Sequence, residues 1–207
     1  MRPRAAKGRP AFFLGGIYMN RLHLENACEE RHFRDMSLLH ALGWRAAYRD
    51  SIPADYMARE ITDGRWVPVF RQNWQEGVYR GLLLYDGDLP LCCATCGPAR
   101  VDQSAGDTIC QFSSPDLAAW GELVSLYAHP DCWGQGYGSV VMEEVLRRLS
   151  AAGYPGCFLY VLRENDRARR FYEKQGFTWD GHSLEVTLTS DTILTDLRYC
   201  KAFTAVL

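Results

Sequence analysis

The chain has 207 residues, 47% of them hydrophobic, which is enough for one sizeable core and too few for two full domains. Its formal charge is −2, and without residues 1–18 it carries 19 basic against 25 acidic side chains. A mildly acidic body excludes a protein that works mainly by neutralising nucleic-acid phosphates, and no apolar run has the length of a membrane span.

Residues 1–18 contain Arg2, Arg4, Lys7 and Arg9 and no acid. They read as a flexible or expression-derived leader, with Met19 as an alternative start and 19–207 as a single domain. The apolar stretch 11–19 is short, is broken by Gly15 and Gly16, and lacks a small-residue cleavage site. From Leu22 an extended segment leads into residues 29–48, where Phe33, Met36, Leu39 and Leu42 recur at helical spacing. Ser51-Ile52-Pro53 interrupts that helix, and residues 54–61 read as a second, short one.

Residues 78–85 and 89–95 are apolar runs around Asp86-Gly87-Asp88, the pattern of an antiparallel hairpin. Residues 97–120 are rich in Gly, Pro, Ser and Asp and read as a loop long enough to lie near a functional site. Residues 122–129 are apolar on both alternating faces, as in a strand covered on two sides. A glycine-rich turn at 133–139 precedes a helix with Val141, Val145, Leu146 and Leu149 on one stripe, ended by Gly153. Residues 157–162 form the next strand, and strand, turn, helix, strand is a crossover unit that makes these two strands parallel neighbours. Asn165 stands at an N-cap before a helix over 166–175, and Gly176 stands where a left-handed C-cap is needed. Residues 177–179, 184–188 and 197–202 complete the chain as strands.

Eight cysteines are scattered through strands and loops, a usage that fits a reducing cytoplasm. Cys93 and Cys96 form a Cys-x-x-Cys pair, but no second pair or His-x₃₋₅-His follows. They read as partly buried thiols, and no metal is expected. No cysteine has a readable histidine partner, which disfavours a cysteine nucleophile.

Gly134-Gln135-Gly136-Tyr137-Gly138-Ser139 lies between a buried strand and an amphipathic helix. Glycines there let the backbone turn sharply and approach a ligand, and the unpaired amides of a helix start suit a phosphate. Each such contact contributes only ~0.3–1 kcal/mol at an exposed site, so several amides must act on one multiply charged group. A dinucleotide fingerprint would need glycine where Ser139 stands, which disfavours a dinucleotide-binding oxidoreductase, and a P-loop would need Gly-Lys-Ser/Thr.

The run Leu126-Tyr127-Ala128-His129-Pro130-Asp131-Cys132-Trp133-Gly134-Gln135-Gly136-Tyr137-Gly138-Ser139 resembles the acetyl-CoA motif of the GNAT superfamily of N-acetyltransferases. Asn165-Asp166-Arg167-Ala168-Arg169-Arg170-Phe171-Tyr172-Glu173-Lys174-Gln175-Gly176-Phe177 resembles the same family's Asn-x₄₋₆-Phe-Tyr-x₃-Gly-Phe segment. Trp44-Arg45-Ala46-Ala47-Tyr48 is similar, more faintly, to the first helix of many bacterial members. One departure is Trp133, where the family usually has Gln or Arg. The resemblance implies an α/β (α+β) GNAT fold: a mixed, mostly antiparallel twisted sheet whose parallel central pair splays around acetyl-CoA, flanked by helices.

By the same resemblance, Leu126, Tyr127 and Ala128 supply strand contacts to the pantetheine arm, and Gly134, Gln135, Gly136, Tyr137, Gly138 and Ser139 hold the pyrophosphate. Asn165 contacts the cofactor, and Tyr172 gives a proton to the departing thiolate. The two stand seven residues apart, close to one helix face. The alternative for Tyr172 is a core aromatic with its hydroxyl at the surface. Glu122 is put forward as the base, directly or through water, and a solvated strand-end carboxylate is the equal alternative. Trp44 and Tyr48 either line the acceptor pocket or pack in the core. Tyr160 occupies the position where some relatives place a glutamate.

The function expected from this resemblance is acetyl transfer from acetyl-CoA to a primary amine of a small molecule or peptide, by direct attack in a ternary complex. No nucleic acid or membrane partner is expected, and a homodimer is allowed. The alternative is a catalytically silent acetyl-CoA-binding sensor or scaffold.

Overall fold

The computed structural model of the chain describes residues 21–101 and 112–204. The expected leader at 1–18 and the middle of the loop at 97–120 lie outside those residues. The elements in chain order are β1 (Leu22–Asn26), α1 (Glu30–Ala47), α2 (Ala54–Glu60), α3 (Val67–Glu76), β2 (Arg80–Asp86), β3 (Leu89–Pro98), β4 (Gly121–Ala128), α4 (Tyr137–Ala151), β5 (Gly156–Leu162), α5 (Asp166–Lys174), β6 (Thr178–Thr189) and β7 (Thr192–Ala202). The strands form one seven-stranded sheet in the order β1-β2-β3-β4-β5-β7-β6. Every pairing is antiparallel except β4 with β5.

Period-two alternation along the strands feeds two cores, one on each face of the sheet. Leu82, Leu84, Cys92, Ala94, Leu159 and Tyr199 meet Val141, Met142, Val145 and Leu149 of α4 and Tyr172 of α5 on one face. Leu83, Tyr85 and Cys93 meet Phe33, Met36 and Leu39 of α1 and Phe70 of α3 on the other. Side chains such as Met36, Leu39 and Met142 are completely buried, and each contributes roughly 1.5–3 kcal/mol relative to exposure. Cys93 and Cys96 point to opposite faces, into separate cores, so they cannot share one metal ion. No helix among the described residues is long and apolar enough to cross a membrane.

The structure adds α3 and merges the last strands. Helix α3 carries proline in its first turn and ends on Gly77 at φ 72°, and Arg71 ties it to α1 by three hydrogen bonds to Glu30 of 2.8–3.2 Å. The separate strands expected at 177–179 and 184–188 are one strand, β6, whose register slips between Trp179 and Ser183, around Gly181 at φ 91°.

The central pair positions the site. Strands β4 and β5 pair at only two positions, Gly121 with Cys157 and Glu122 with Phe158, and then diverge. The β4 edge facing β5 is therefore without a strand partner from Leu123 to Ala128. On its other edge Thr95 pairs with Ser125 and Cys96 with Leu123, so Val124 is an extra residue bulged out of the ladder.

Candidate active site

A cleft of about 880 Å³ opens where β4 and β5 part. Its walls include Val124–Ala128 of β4, Tyr160 and Val161 of β5, the start of α4, the start of α5, and the end of α1 at Ala46, Ala47 and Tyr48.

The start of α4 leaves several backbone N–H donors unpaired among the described residues. Gly134 and Gly136 have φ of 81° and 91°, a region that favours glycine, and a Cβ at either would meet nothing within 4 Å. Backbone conformation together with open space therefore explains both residues. Helix α4 has no side-chain N-cap. Among the described residues the amides of Gly134, Gly136, Tyr137 and Gly138 donate to no acceptor, whereas Ser139 N–H reaches Gly136 C=O at 2.9 Å. These free donors face the cleft beside the positive end of the helix dipole, and Arg167, Arg170 and Lys174 add cationic side chains to the wall. Gln135 is the one residue of the run that turns away: its amide leans on Cys132 C=O at 3.4 Å and its side chain on Asp131 C=O at 3.3 Å, outside the cleft wall. Trp133 donates its indole N–H to Ala128 C=O at 2.9 Å and carries the Arg167 guanidinium 4.0 Å over its ring. It therefore ties the glycine turn to the end of β4.

Helix α5 brings the next two residues to the same cleft. Asn165 caps the helix by accepting from Ala168 N–H at 3.1 Å, and its side chain also meets the Tyr48 hydroxyl. Tyr172, 7% exposed, has a hydroxyl with no hydrogen-bond partner among the described residues, and burial raises its phenol above the ordinary range. The Tyr48 hydroxyl interacts with the side chains of Tyr127 and Asn165, and burial raises its phenol as well. Three phenols and an asparagine thus converge at the fork of the sheet.

The structure separates residues that the sequence grouped. Trp44 stacks among Tyr48 and Trp66 behind the wall, at centroid distances of 5.1 and 5.7 Å, and Tyr48 alone of that pair reaches the cleft. Glu122 is corrected more sharply. Its carboxylate is wholly buried, and Arg100 holds it through the backbone N–H at 3.1 Å and through the guanidinium Nε and Nη2. A base must be open to its proton donor, and Glu122 is wholly buried and already held by Arg100. Histidine partners for cysteine do exist: Cys93 Sγ lies 3.7 Å from His40 Nδ1, and Cys28 Sγ lies 3.9 Å from His32 Nδ1. Both pairs lie off the cleft wall, and burial raises the Cys93 thiol well above its usual value.

The sequence reading missed Gly43, where a Cβ would lie 2.4 Å from the Tyr127 ring. Its absence lets Tyr127 lie against α1 and meet the His40 ring at a tilt, 4.3 Å between centroids. A glycine inside an apolar helical stripe is the local signal for that close approach.

The sequence model of the Acetyltransferase (GNAT) family matches residues 51–177, more than half of the chain. The chain belongs to the GNAT acetyltransferase family. Solved GNAT structures share its fold. The PaiA N-acetyltransferase of Thermoplasma acidophilum, in complex with coenzyme A, superposes with a TM-score of 0.62 at 14% identity, over 87% of this chain and 99% of that one. YncA of Salmonella typhimurium, solved with acetyl-CoA, gives 0.63 at 14% identity, over 90% and 96%. The mycothiol acetyltransferase of Beutenbergia cavernae is 44% identical over 64 residues, which span 31% of this chain and 21% of that protein. In this member of the GNAT family the parted strands, the glycine turn and α5 converge on one cleft.

Proposed function

We propose that this acetyltransferase moves an acetyl group from acetyl-CoA to a primary amine by direct attack within a ternary complex. The observation that carries the reading is the run of free amides at Gly134, Gly136, Tyr137 and Gly138, opening on the same cleft as the unpartnered hydroxyl of Tyr172. Those amides would hold the diphosphate, with Arg167, Arg170 and Lys174 nearby. The unpaired edge of β4 from Leu126 to Ala128 would pair with the amide groups of the pantetheine arm, as an added strand would. Asn165 would contact the same arm through its side-chain amide.

Acetyl-CoA supplies an activated acyl group as a thioester. The chain's share is to hold the carbonyl beside the amine, to stabilise the oxyanion, and to protonate the leaving sulfur. The bulge at Val124 leaves backbone of β4 free to donate to that oxyanion. Tyr172 would give its proton to sulfur and be reprotonated by the proton that nitrogen sheds.

The test is release of coenzyme A thiol from acetyl-CoA over a panel of primary amines, with acetyl-CoA binding followed by calorimetry. Amine-dependent release supports the reading. Tight binding with no release for any amine would instead favour a silent acetyl-CoA sensor, and no binding would overturn both.

A further inference from the structure

Asp196 stands on β7 opposite Leu162 of β5, on the sheet face that Tyr160 presents to the cleft. It is half-buried, and its carboxylate makes no hydrogen bond or ion pair with any described residue. Its charged and titratable neighbours are Tyr48 at the end of α1, Glu164 in the turn before α5, and Arg100 after β3. Its register partner on β6 is Leu184, which is apolar. Tyr48 and Glu164 are both on the cleft wall, and Asp196 stands behind them, still partly exposed. Neither nearby guanidinium is free to serve as its counter-ion: Arg100 is taken by Glu122, and Arg198 by Asp116 and Asp180. The cleft floor also holds Ser125, whose buried hydroxyl has no partner.

On the reading proposed above, we infer that Asp196 binds the ammonium of a cationic primary amine and takes its proton before attack, with Glu164 beside it selecting against anionic acceptors. A partly buried carboxylate beside a second carboxylate, with no free cation among the described residues, is costly unless the ligand brings the charge. Burial first, and then the charge of Glu164, raise the Asp196 carboxyl to about 6, against the pull of Arg100. It is ionised at neutral pH and is a better base than an exposed aspartate.

The step balances as follows. R–NH₃⁺ gives one proton to Asp196, which later passes it to water. The nitrogen lone pair forms the C–N bond to the thioester carbonyl carbon, and the C–S bond breaks with its electrons on sulfur. Tyr172 protonates that sulfur and recovers a proton from the new amide nitrogen. The net products are the N-acetyl amide, coenzyme A thiol and one proton.

The experiment compares the full chain with Asp196→Asn and Asp196→Glu, using pentylamine and 5-aminopentanoate as acceptors, with kcat/KM measured from pH 5 to 9. Calorimetry gives the acetyl-CoA affinity of each protein. For pentylamine the wild type should rise through an acid limb near pH 6 and then level. Asp196→Asn should fall about 100-fold at pH 7 and climb about tenfold per pH unit, as free amine replaces the missing base. Asp196→Glu should recover part of the level region, acetyl-CoA affinity should stay within about threefold, and 5-aminopentanoate should be at least about tenfold poorer than pentylamine. An Asp196→Asn profile with the wild-type shape, whatever its height, overturns the base assignment while leaving acetyl transfer intact. Equal use of the two acceptors overturns the selection by charge. A wild type that binds acetyl-CoA but acetylates no amine removes the transfer reading, and this inference with it.

Discussion

Arg100 encloses the carboxylate of Glu122 with its backbone N–H, Nε and Nη2, and Glu122 has no exposed surface. The pair fastens the chain after β3 to the base of β4, below the point where β4 and β5 part. Breaking such a pair leaves one buried charge alone, at a cost of about 3–5 kcal/mol. Arg100→Met should therefore lower unfolding free energy by about that much in urea titrations. Glu122→Gln should lose stability yet keep the wild-type pH–rate profile. A flattened profile in Glu122→Gln would return the base role to that residue.

Tyr172→Phe removes a hydroxyl that has no partner among the described residues, so folding stability should change by less than about 0.5 kcal/mol. Loss of a general acid should lower kcat by about 10²-fold or more, with KM for acetyl-CoA little changed. Steady-state kinetics and thermal unfolding of the same preparation test both halves.

Gly136→Val forces a β-branched residue to φ 91°, which costs roughly 1–3 kcal/mol, and points a side chain into the space where the diphosphate would lie. Acetyl-CoA affinity should drop at least about tenfold by calorimetry. Gly64→Ala, where a Cβ meets nothing and φ is not in the left-handed region, should leave that affinity unchanged.

His40 is 4% exposed, donates Nδ1–H to Met36 C=O at 2.8 Å, and has its pKa pushed down to about 4 by burial. The unfolded chain takes up a proton near pH 6.5 that the folded chain refuses until about pH 4. The stability associated with neutral His40 is thus complete above pH 6.5 and drains away as pH falls towards 4. The loss should approach roughly 3 kcal/mol. Urea titrations at pH 7 and pH 4.5 should show a smaller acid loss in His40→Phe than in the wild type.

Asp196 runs the other way. Its carboxyl is raised in the fold, so its penalty is absent below about pH 4 and grows as pH rises through about 6. Asp196→Asn should therefore be more stable than the wild type at pH 8, by about 1–2 kcal/mol, while being the slower enzyme. Denaturation at pH 8 and at pH 4, where the two proteins should converge, measures this directly.

Much of the architecture was legible in single stretches of chain. The hairpin at Asp86-Gly87-Asp88, the stripe of α4, the Asn165 cap and the left-handed Gly176 each depend on residues within a few positions of one another. Helix α3 could have been read from Val67, Phe70 and Trp74 at helical spacing before Gly77. The single strand β6 was harder to read, because its partner β7 holds it through a register slip that the local pattern does not announce.

By itself the sequence determined the glycine turn that bares helix amides and the helix that carries Asn165 and Tyr172 towards them. Backbone conformation, capping and periodicity are local demands, met or failed by neighbouring residues. Only the tertiary structure decided which side chains could react. Glu122 is enclosed by an arginine 22 residues away, Trp44 is turned behind the wall that Tyr48 reaches, and Asp196 has no counter-ion among the described residues. Access and proton affinity belong to the environment of a group, and strands distant in the chain assemble that environment.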